Sequence, residues 1–448
     1  MHLVFLNQYY PPDAAPTGVM LEAVVERLVA DGHEVTVICA AGGYAGEVDQ
    51  TDEVDRVDGP LRVVRLRATR FGRGTFVGKL VDYASFYAQV KWRLLRIAKP
   101  DRVVALTTPP YLSLLARVFS WIRGADHGHW VMDLYPDVMV AHGMLRERGL
   151  LHRALGWLTR LGFGGHRCAA IVTLGPDMAA RVGRYAPAQA VSWVPLWATG
   201  EVECEKCEVR SAEEEAASPP QSPVSSDRSP LVTSHLPLCT SSSALLTSHL
   251  SLSTSLRQSR GWGEDELVVM YSGNMGLGHR FGEVLAAAVA LAGEPVRFEF
   301  FGGGKRRGEI AAFAAAHPDC RIGLHDYAPA GELGAHLQCA DVHLASLDPG
   351  WTGTMVPSKL QGIFAAGRPV IFIGDARSSI GQWITASGGG WTVDADDQPA
   401  LIAAIHAARD PAERQRRGQA AAAFAATHFD RATNVAAVAA RLEGQSKV

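Results

Sequence analysis

The chain has 448 residues, 47% hydrophobic and 20% charged, a globular composition too long for one ordinary core and suited to two α/β domains. A formal net charge of −3 gives no global electrostatic case for nucleic acid as a partner. No apolar run reaches the roughly 18 to 20 residues of a membrane span, and no basic, apolar, cleavable leader precedes the first strand-like run, so a cytoplasmic protein is expected, at most peripheral at the inner face of a membrane.

In chain order, residues 4–6 read as a short buried strand and 19–30 as a helix that stops at Asp31-Gly32. Residues 33–39 form a second strand with Val35, Val37 and Cys39 on one face, and 61–66 a third. Strands at 103–106, 129–132 and 170–174 continue the series, with helical segments between several of them. Short apolar runs alternating with longer helical patterns predict a parallel sheet covered by helices, and residues 1–199 form a first domain on this basis.

The texture changes near Gly200. Residues 201–216 are acidic, and 217–258 are rich in Ser, Thr, Leu and Pro, with Thr233-Ser234-His235-Leu236 echoed at Thr247-Ser248-His249-Leu250. A disordered linker insert over 200–262 is predicted. Its Cys204 and Cys207 lack the further ligands of a zinc site, and the seven cysteines read as reduced thiols.

Strands at 266–271, 296–301, 321–324, 342–344 and 369–373, with a helix at 281–291, then make a second doubly wound domain over 263–420. The Ala-rich stretch 411–442 has strong helical propensity and is interrupted at His428-Phe429-Asp430; residues 421–448 are set apart as a C-terminal helix.

Doubly wound domains bind ligands at the carboxyl ends of their strands, which directs attention to the loops there. Gly273-Asn274-Met275-Gly276-Leu277-Gly278, followed by His279-Arg280, lies between a strand and a helix, where glycine permits close backbone approach and a helix start offers N–H groups to an anion. It is neither the dinucleotide fingerprint nor a P-loop; a simple tight turn is the competing reading. Gly302-Gly303-Gly304-Lys305 repeats the logic, with Lys305 either a ligand or a solvated surface lysine.

In Val356-Pro357-Ser358-Lys359-Leu360, a diphosphate would meet helix-terminal N–H groups, the Ser358 hydroxyl and the Lys359 ammonium; the plain alternative is a capped helix. In the first domain, Tyr9-Tyr10-Pro11-Pro12 with Thr17-Gly18, and Asp133-Leu134-Tyr135-Pro136-Asp137, fall at the cleft edge. Asp133 could orient an acceptor hydroxyl or act as a base, whereas Asp137 also fits a helix cap. Between Arg67 and Arg96, the basic residues Arg70, Arg73, Lys79, Lys91 and Arg93 interleave with Phe71, Phe76, Tyr83, Phe86, Tyr87 and Trp92. That segment is either a peripheral membrane contact or an amphipathic helix with a solvated basic face.

These pieces together, with His33-Glu34-Val35-Thr36-Val37, Val194-Pro195-Leu196-Trp197 and Pro369-Val370, resemble glycosyltransferase family 4, in the bacterial branch that builds exopolysaccharide, capsule or O-antigen units. The resemblance covers both domains and leaves out about residues 200–260. It implies a GT-B fold: two facing Rossmann-like, doubly wound parallel-sheet domains with a cleft between them. It further implies retaining transfer from a nucleotide sugar, most often a UDP sugar, to a saccharide or lipid-linked acceptor, with no metal and no other cofactor.

On that reading Gly273, Asn274, Arg280, Gly303, Lys305, Ser358 and Lys359 serve the donor. Tyr327 lies near the nucleobase, Thr17, Gly18 and Asp137 line the cleft, and Asp133 is the catalytic candidate. The helix after Asp430 crosses back to the first domain. The family commonly carries two glutamates eight residues apart where this chain has Thr354 and Gly362, and an Arg and a Lys where it has Asn274 and His279; Arg280 or Lys359 would then supply the charge. A nucleotide-sugar 2-epimerase of the same fold, an inactive partner subunit and a sugar sensor are the competing functions.

Overall fold

A computed structural model describes residues 1–13, 15–41, 54–69, 71, 76–198, 253–329 and 331–444. The expected insert lies outside the described residues up to 252, as do Arg70 and Arg73.

The N-terminal sheet contains β1 (His2–Leu6), β2 (Glu34–Ala40), β3 (Val54–Asp58), β4 (Leu61–Leu66), β5 (Arg102–Ala105), β6 (Asp126–Trp130), β7 (Cys168–Thr173) and β8 (Val191–Trp193). Their order is β3-β4-β2-β1-β5-β6-β7-β8, with β3 the antiparallel edge of a hairpin with β4. The C-terminal sheet contains β9 (Leu267–Ser272), β10 (Val296–Phe301), β11 (Ile322–His325), β12 (Val342–Ser346), β13 (Val370–Ile373) and β14 (Gly390–Val393), all parallel, in the order β11-β10-β9-β12-β13-β14. Both sheets are therefore doubly wound.

Alternation along the strands builds two cores per sheet. Leu3, Phe5, Val35, Val37 and Cys39 share one cluster, while Val4, Leu6, Ile38, Val64 and Val103 share the other. Helices cover both faces, so consecutive strand residues are buried and the runs are apolar throughout rather than alternating. In the second domain Val269, Tyr271, Phe298 and Phe300 face one cluster and Val268, Met270 and Phe301 another. At about 1.5–3 kcal/mol per fully buried large side chain, these strands supply the main driving force of both domains.

Two boundaries differ from the sequence reading. Residues 253–259 are helical, Arg257 Nη1 lies 3.0 Å from both Asp341 Oδ2 and the Cys339 carbonyl, and Trp262 is buried edge-on to Phe301. Residues 253–262 thus belong to the C-terminal core: Leu256 and Trp262 supply an apolar face that the Ser-rich composition masks.

The other difference concerns the chain's end. Helix Pro411–His428 runs through residue 421 and packs on helix Lys359–Ala365. The break comes at Asp430, whose carboxylate caps helix Arg431–Leu442 by accepting from the Thr433 N–H at 2.8 Å. That last helix packs on helix Pro16–Ala30 and β7 of the N-terminal domain, and the buried Arg102 donates to the Leu442 carbonyl.

Candidate functional site

In each sheet the strand order reverses between two neighbours, β1 and β5 in one, β9 and β12 in the other. A ligand crevice lies outside the carboxyl ends at such a switch point. The loops at the two sets of strand ends meet. Asp133, after β6, forms an antiparallel bridge with Met355, after β12, and the Leu134 N–H donates to the Thr354 carbonyl at 2.8 Å. The Thr107 hydroxyl, after β5, accepts from the N–H groups of Met132 at 3.2 Å and Asp133 at 3.1 Å.

The turns after β9 and β10 are laced into one floor. The Met275 N–H donates to the Gly303 carbonyl at 2.6 Å, and the Arg306 N–H to the Met275 carbonyl at 3.0 Å. The Tyr271 hydroxyl donates to the Asn274 carbonyl at 2.7 Å. Gly304 stands at φ 127°, and a Cβ there would lie 2.5 Å from Asn274 Oδ1 and 2.6 Å from the Met275 oxygen. Both the dihedral and the approach demand glycine. Tyr327, 61% exposed, lays its ring against Gly302 and Gly303. Asn274 and Lys305 are exposed at this floor.

Lys359 enters the same floor from helix Lys359–Ala365. Its stem crosses Gly273, where a Cβ would meet Cε at 2.7 Å. Its Nζ lies 3.1 Å from His279 Nε2 and 5.1 Å from the centre of the Tyr271 ring. His279 Nδ1 stands 2.7 Å from the Ser346 carbonyl, so Nδ1 carries the proton and Nε2 offers its lone pair to the ammonium. Burial, then the Lys359 charge, pushes the His279 pKa down to about 3, which keeps the ring neutral. Burial alone lowers Lys359 to about 8, with no carboxylate offsetting it. Among the described residues, no carboxylate pairs with the ammonium on this floor. Ser358, at the start of this helix, is exposed and makes no capping bond with its hydroxyl.

Arg280 departs from the expected diphosphate role. Its Nε donates to Glu283 at 2.6 Å, Nη1 faces Asp348 at 3.4 Å, and Nη2 pairs with Asp396. Three carboxylates already occupy that guanidinium. Of the two candidates for the missing charge, the structure leaves Lys359 open and Arg280 neutralised. His279, which stands where the family has a lysine, instead fixes a lysine delivered from another element.

On the acceptor side, burial raises Asp133 to about 6. It is half-buried, 4 residues upstream of Asp137. Gly18 is buried under the first loop, where a Cβ would stand 3.2 Å from the Tyr10 nitrogen and the Tyr9 carbonyl, and Thr17 beside it is half-buried. Asp137 is engaged elsewhere: Arg181 Nε donates to its Oδ1 at 2.7 Å and the Tyr185 hydroxyl to its Oδ2 at 2.6 Å. Arg181 also donates to the Thr352 carbonyl of the other domain at 2.7 Å. Asp137 is thus a junction residue, not an N-cap, since Pro136 holds the cap position.

Sequence reasoning gave no positioning role to His279 and no role at all to Thr107, Met355 and Arg181. No local signal marks them, because each acts through a partner far along the chain. Among the described residues, His127, His129 and Cys168 could group around a metal ion. Arg102 and Arg117 lie close enough to act on this group electrostatically, and their charge opposes a cation there.

Comparison with known proteins agrees with this architecture. Residues 17–197 match the glycosyl transferase 4-like domain. WcaI of Escherichia coli (strain K12), named as a colanic acid biosynthesis glycosyl transferase, is 22% identical over 417 residues, covering 91% of this chain and 92% of that protein. WbjE of Pseudomonas aeruginosa, named as a glycosyltransferase, is 24% identical over 314 residues, covering 69% of this chain and 66% of that protein. The crystal structure of Anabaena HepE in complex with UDP-glucose superposes with a TM-score of 0.64 at 13% identity, covering 99% of each chain, a likeness of fold. With its two facing doubly wound domains in the GT-B arrangement and a glycosyl transferase 4-like domain over residues 17–197, the chain is similar to glycosyltransferases of family 4.

Proposed function

We propose that this glycosyltransferase takes its sugar from a nucleotide sugar, with a UDP sugar as donor, and transfers it with retention to a saccharide or lipid-linked acceptor in surface polysaccharide assembly. The observation that carries this is the uncompensated Lys359 ammonium on the floor joining the Gly273 and Gly302 turns. A leaving diphosphate gains negative charge in the transition state, and a preorganised cation in a poorly hydrated site stabilises that charge more than it stabilises the bound substrate. Lys359 supplies the cation, the Ser358 hydroxyl a donor, and the exposed Asn274 and Lys305 with the half-buried Gly303 further contacts. No metal is needed in this scheme, and chelators should leave turnover unchanged. Tyr327 offers a ring face to the base. Asp133 orients the acceptor hydroxyl or takes its proton. The names of WcaI and of the UDP-glucose-bound HepE support the donor and the pathway class.

The same proposal places the protein in the cytoplasm, at a membrane face. Among the described residues no helix is long and apolar enough to cross a membrane. Helix Leu112–Arg123 packs against both helix Phe76–Arg96 and helix Leu150–Phe163, and all three expose large apolar side chains, Trp92, Trp121 and Trp157 among them. Exposed Lys79, Lys91 and Arg96 lie on the first of them. This surface extends beyond the 67–96 segment.

A thermal-shift screen across nucleotide sugars tests the donor assignment, because a ligand that binds only the folded state raises Tm. A shift with UDP sugars that the Lys359→Ala variant loses is the expected result; no shift with any nucleotide sugar sinks the assignment. Anomeric configuration of the product, read by NMR, decides retention.

A further inference from the structure

A cavity of about 680 Å³ opens in the N-terminal domain, lined by residues from helix Leu150–Phe163 and from helix Pro176–Gly183 with its C-terminal extension. Arg148, Arg153, Arg160, Arg181 and Arg184 line it, with only Asp137 and Glu147 as carboxylates. Asp137 is already matched by Arg181. Arg148, Arg153, Arg160 and Arg184 take part in no salt bridge among the described residues.

The walls are built to hold donors there. Arg148 adopts φ 61°, a left-handed conformation that a β-carbon-bearing residue rarely takes, and its N–H donates to His152 Nδ1 at 3.1 Å. Because Nδ1 accepts, His152 carries its proton on Nε2, one more donor in the cavity lining. Helix Leu150–Phe163 starts beside Arg148 with no side-chain cap, so its first N–H groups add to the positive end. Clustered guanidiniums repel one another, and an anion among them relieves that repulsion. The planar fork of arginine matches phosphate oxygens two at a time.

We infer that this cavity binds a phosphate-bearing ligand, a diphosphate or the phosphoryl headgroup of a lipid, at a site separate from Lys359. Its volume suits a ligand of that size. Leu150, Leu151 and Trp157 are exposed on the helix that forms its wall, which fits a phosphate presented at a lipid surface. Nothing in this assignment depends on the donor reading.

The test uses the full chain carrying Lys359→Ala, so that the donor crevice contributes nothing. It is titrated with inorganic pyrophosphate, and separately with phosphatidylcholine vesicles containing phosphatidic acid. Two double variants are compared on that background. Arg153→Gln/Arg184→Gln removes two cavity charges; Arg377→Gln/Arg416→Gln removes two exposed charges from the C-terminal domain. Pyrophosphate binding should weaken about tenfold or more in the first and stay unchanged in the second. The same contrast with vesicles alone also upholds the site and names a lipid headgroup as the source. Absence of binding to both probes, or equal binding by the two double variants, overturns it. Arg184→Gln alone, with a loss of about threefold in the same direction, covers the case in which the pair fails to fold, which circular dichroism reads directly.

Discussion

Lys359 keeps its charge beside a neutral imidazole, and the absence of a carboxylate partner gives it a measurable pH signature. Its free pKa is lowered to about 8 by burial, and a bound diphosphate must raise it again. Between those two values the complex holds more protons than the free protein. Donor affinity should therefore be flat below about pH 8 and fall as pH rises above it, by about tenfold per unit. Lys359→Ala should weaken a UDP sugar about 10- to 100-fold at neutral pH, the worth of one charge-assisted hydrogen bond, and remove the pH dependence. Isothermal titration across pH 6–10 checks both; an alkaline limb that survives the substitution would point to another group. Asp133 makes the opposite limb. Burial holds its carboxyl at about 6, so a role that needs the carboxylate should fade as pH drops below that value. Asp133→Asn should lower kcat about 100-fold or more and leave donor binding intact; an unchanged kcat would remove Asp133 from the chemistry. The Ser358-Lys359 pair was legible in sequence because a proline and a serine open its helix. Its partner His279 was not, being 80 residues away, and Arg280 looked equally suited until Glu283, Asp348 and Asp396 were seen to claim it.

At the scale of elements, the strands read most easily were those buried on both faces. Residues 61–66 and 296–301 match β4 and β10, and most of the others shift by one or two positions, where hydrogen bonding rather than hydrophobicity sets the end. The missed strands are edges. Val54–Asp58 carries two aspartates and an arginine in five residues, Val191–Trp193 is only three residues long, and Gly390–Val393 begins on glycine, so none presents a long apolar run. The glycine turns were legible as turns, but not their mutual lacing, which depends on β9 and β10 being neighbours. That lacing can be tested by comparing two nearby glycines. A Cβ on Gly304 would collide with Asn274 and Met275 at a positive φ, whereas Gly308, inside helix Arg307–Ala316, has nothing within 4 Å. Gly304→Ala should cost about 1–3 kcal/mol of stability and weaken donor binding. Gly308→Ala should instead stabilise the protein by about 0.5–1 kcal/mol, since alanine orders a helix more cheaply in entropy than glycine does. Urea denaturation of both variants reads the difference, and equal effects would mean that the floor tolerates a side chain.

For the molecule as a whole, alternation of strands and helices on either side of a polar stretch made two doubly wound domains legible. Their junction was not. It rests on Arg181 reaching Thr352, on Ser379 donating to Asp177 and on the ring of His142 lying edge-on to Trp351, pairs that only the folded chain brings together. Nor could the extent of the apolar face be read from the basic, aromatic run at 67–96, since its other helices come from later in the chain. Trp121 is 80% exposed on one of them and Trp157 61% on the next. Single exposed apolar residues are ordinary, but several on three adjoining helices with lysines beside them form a surface suited to an anionic bilayer. An indole inserted at the interface contributes through the apolar area it buries and through its ring N–H, which stays hydrated. Trp121→Ala and Trp157→Ala should each reduce partitioning onto vesicles containing phosphatidylglycerol by roughly tenfold, and their effects should multiply if both rings insert together. Donor binding in solution should not change, because neither ring is among the contacts of the Gly273 floor. Salt should weaken the remaining binding, since the lysines act through a screened field. Cosedimentation of the two single variants and the double variant at low and high salt measures all of this, and vesicle binding that survives loss of both tryptophans would assign membrane contact to another surface.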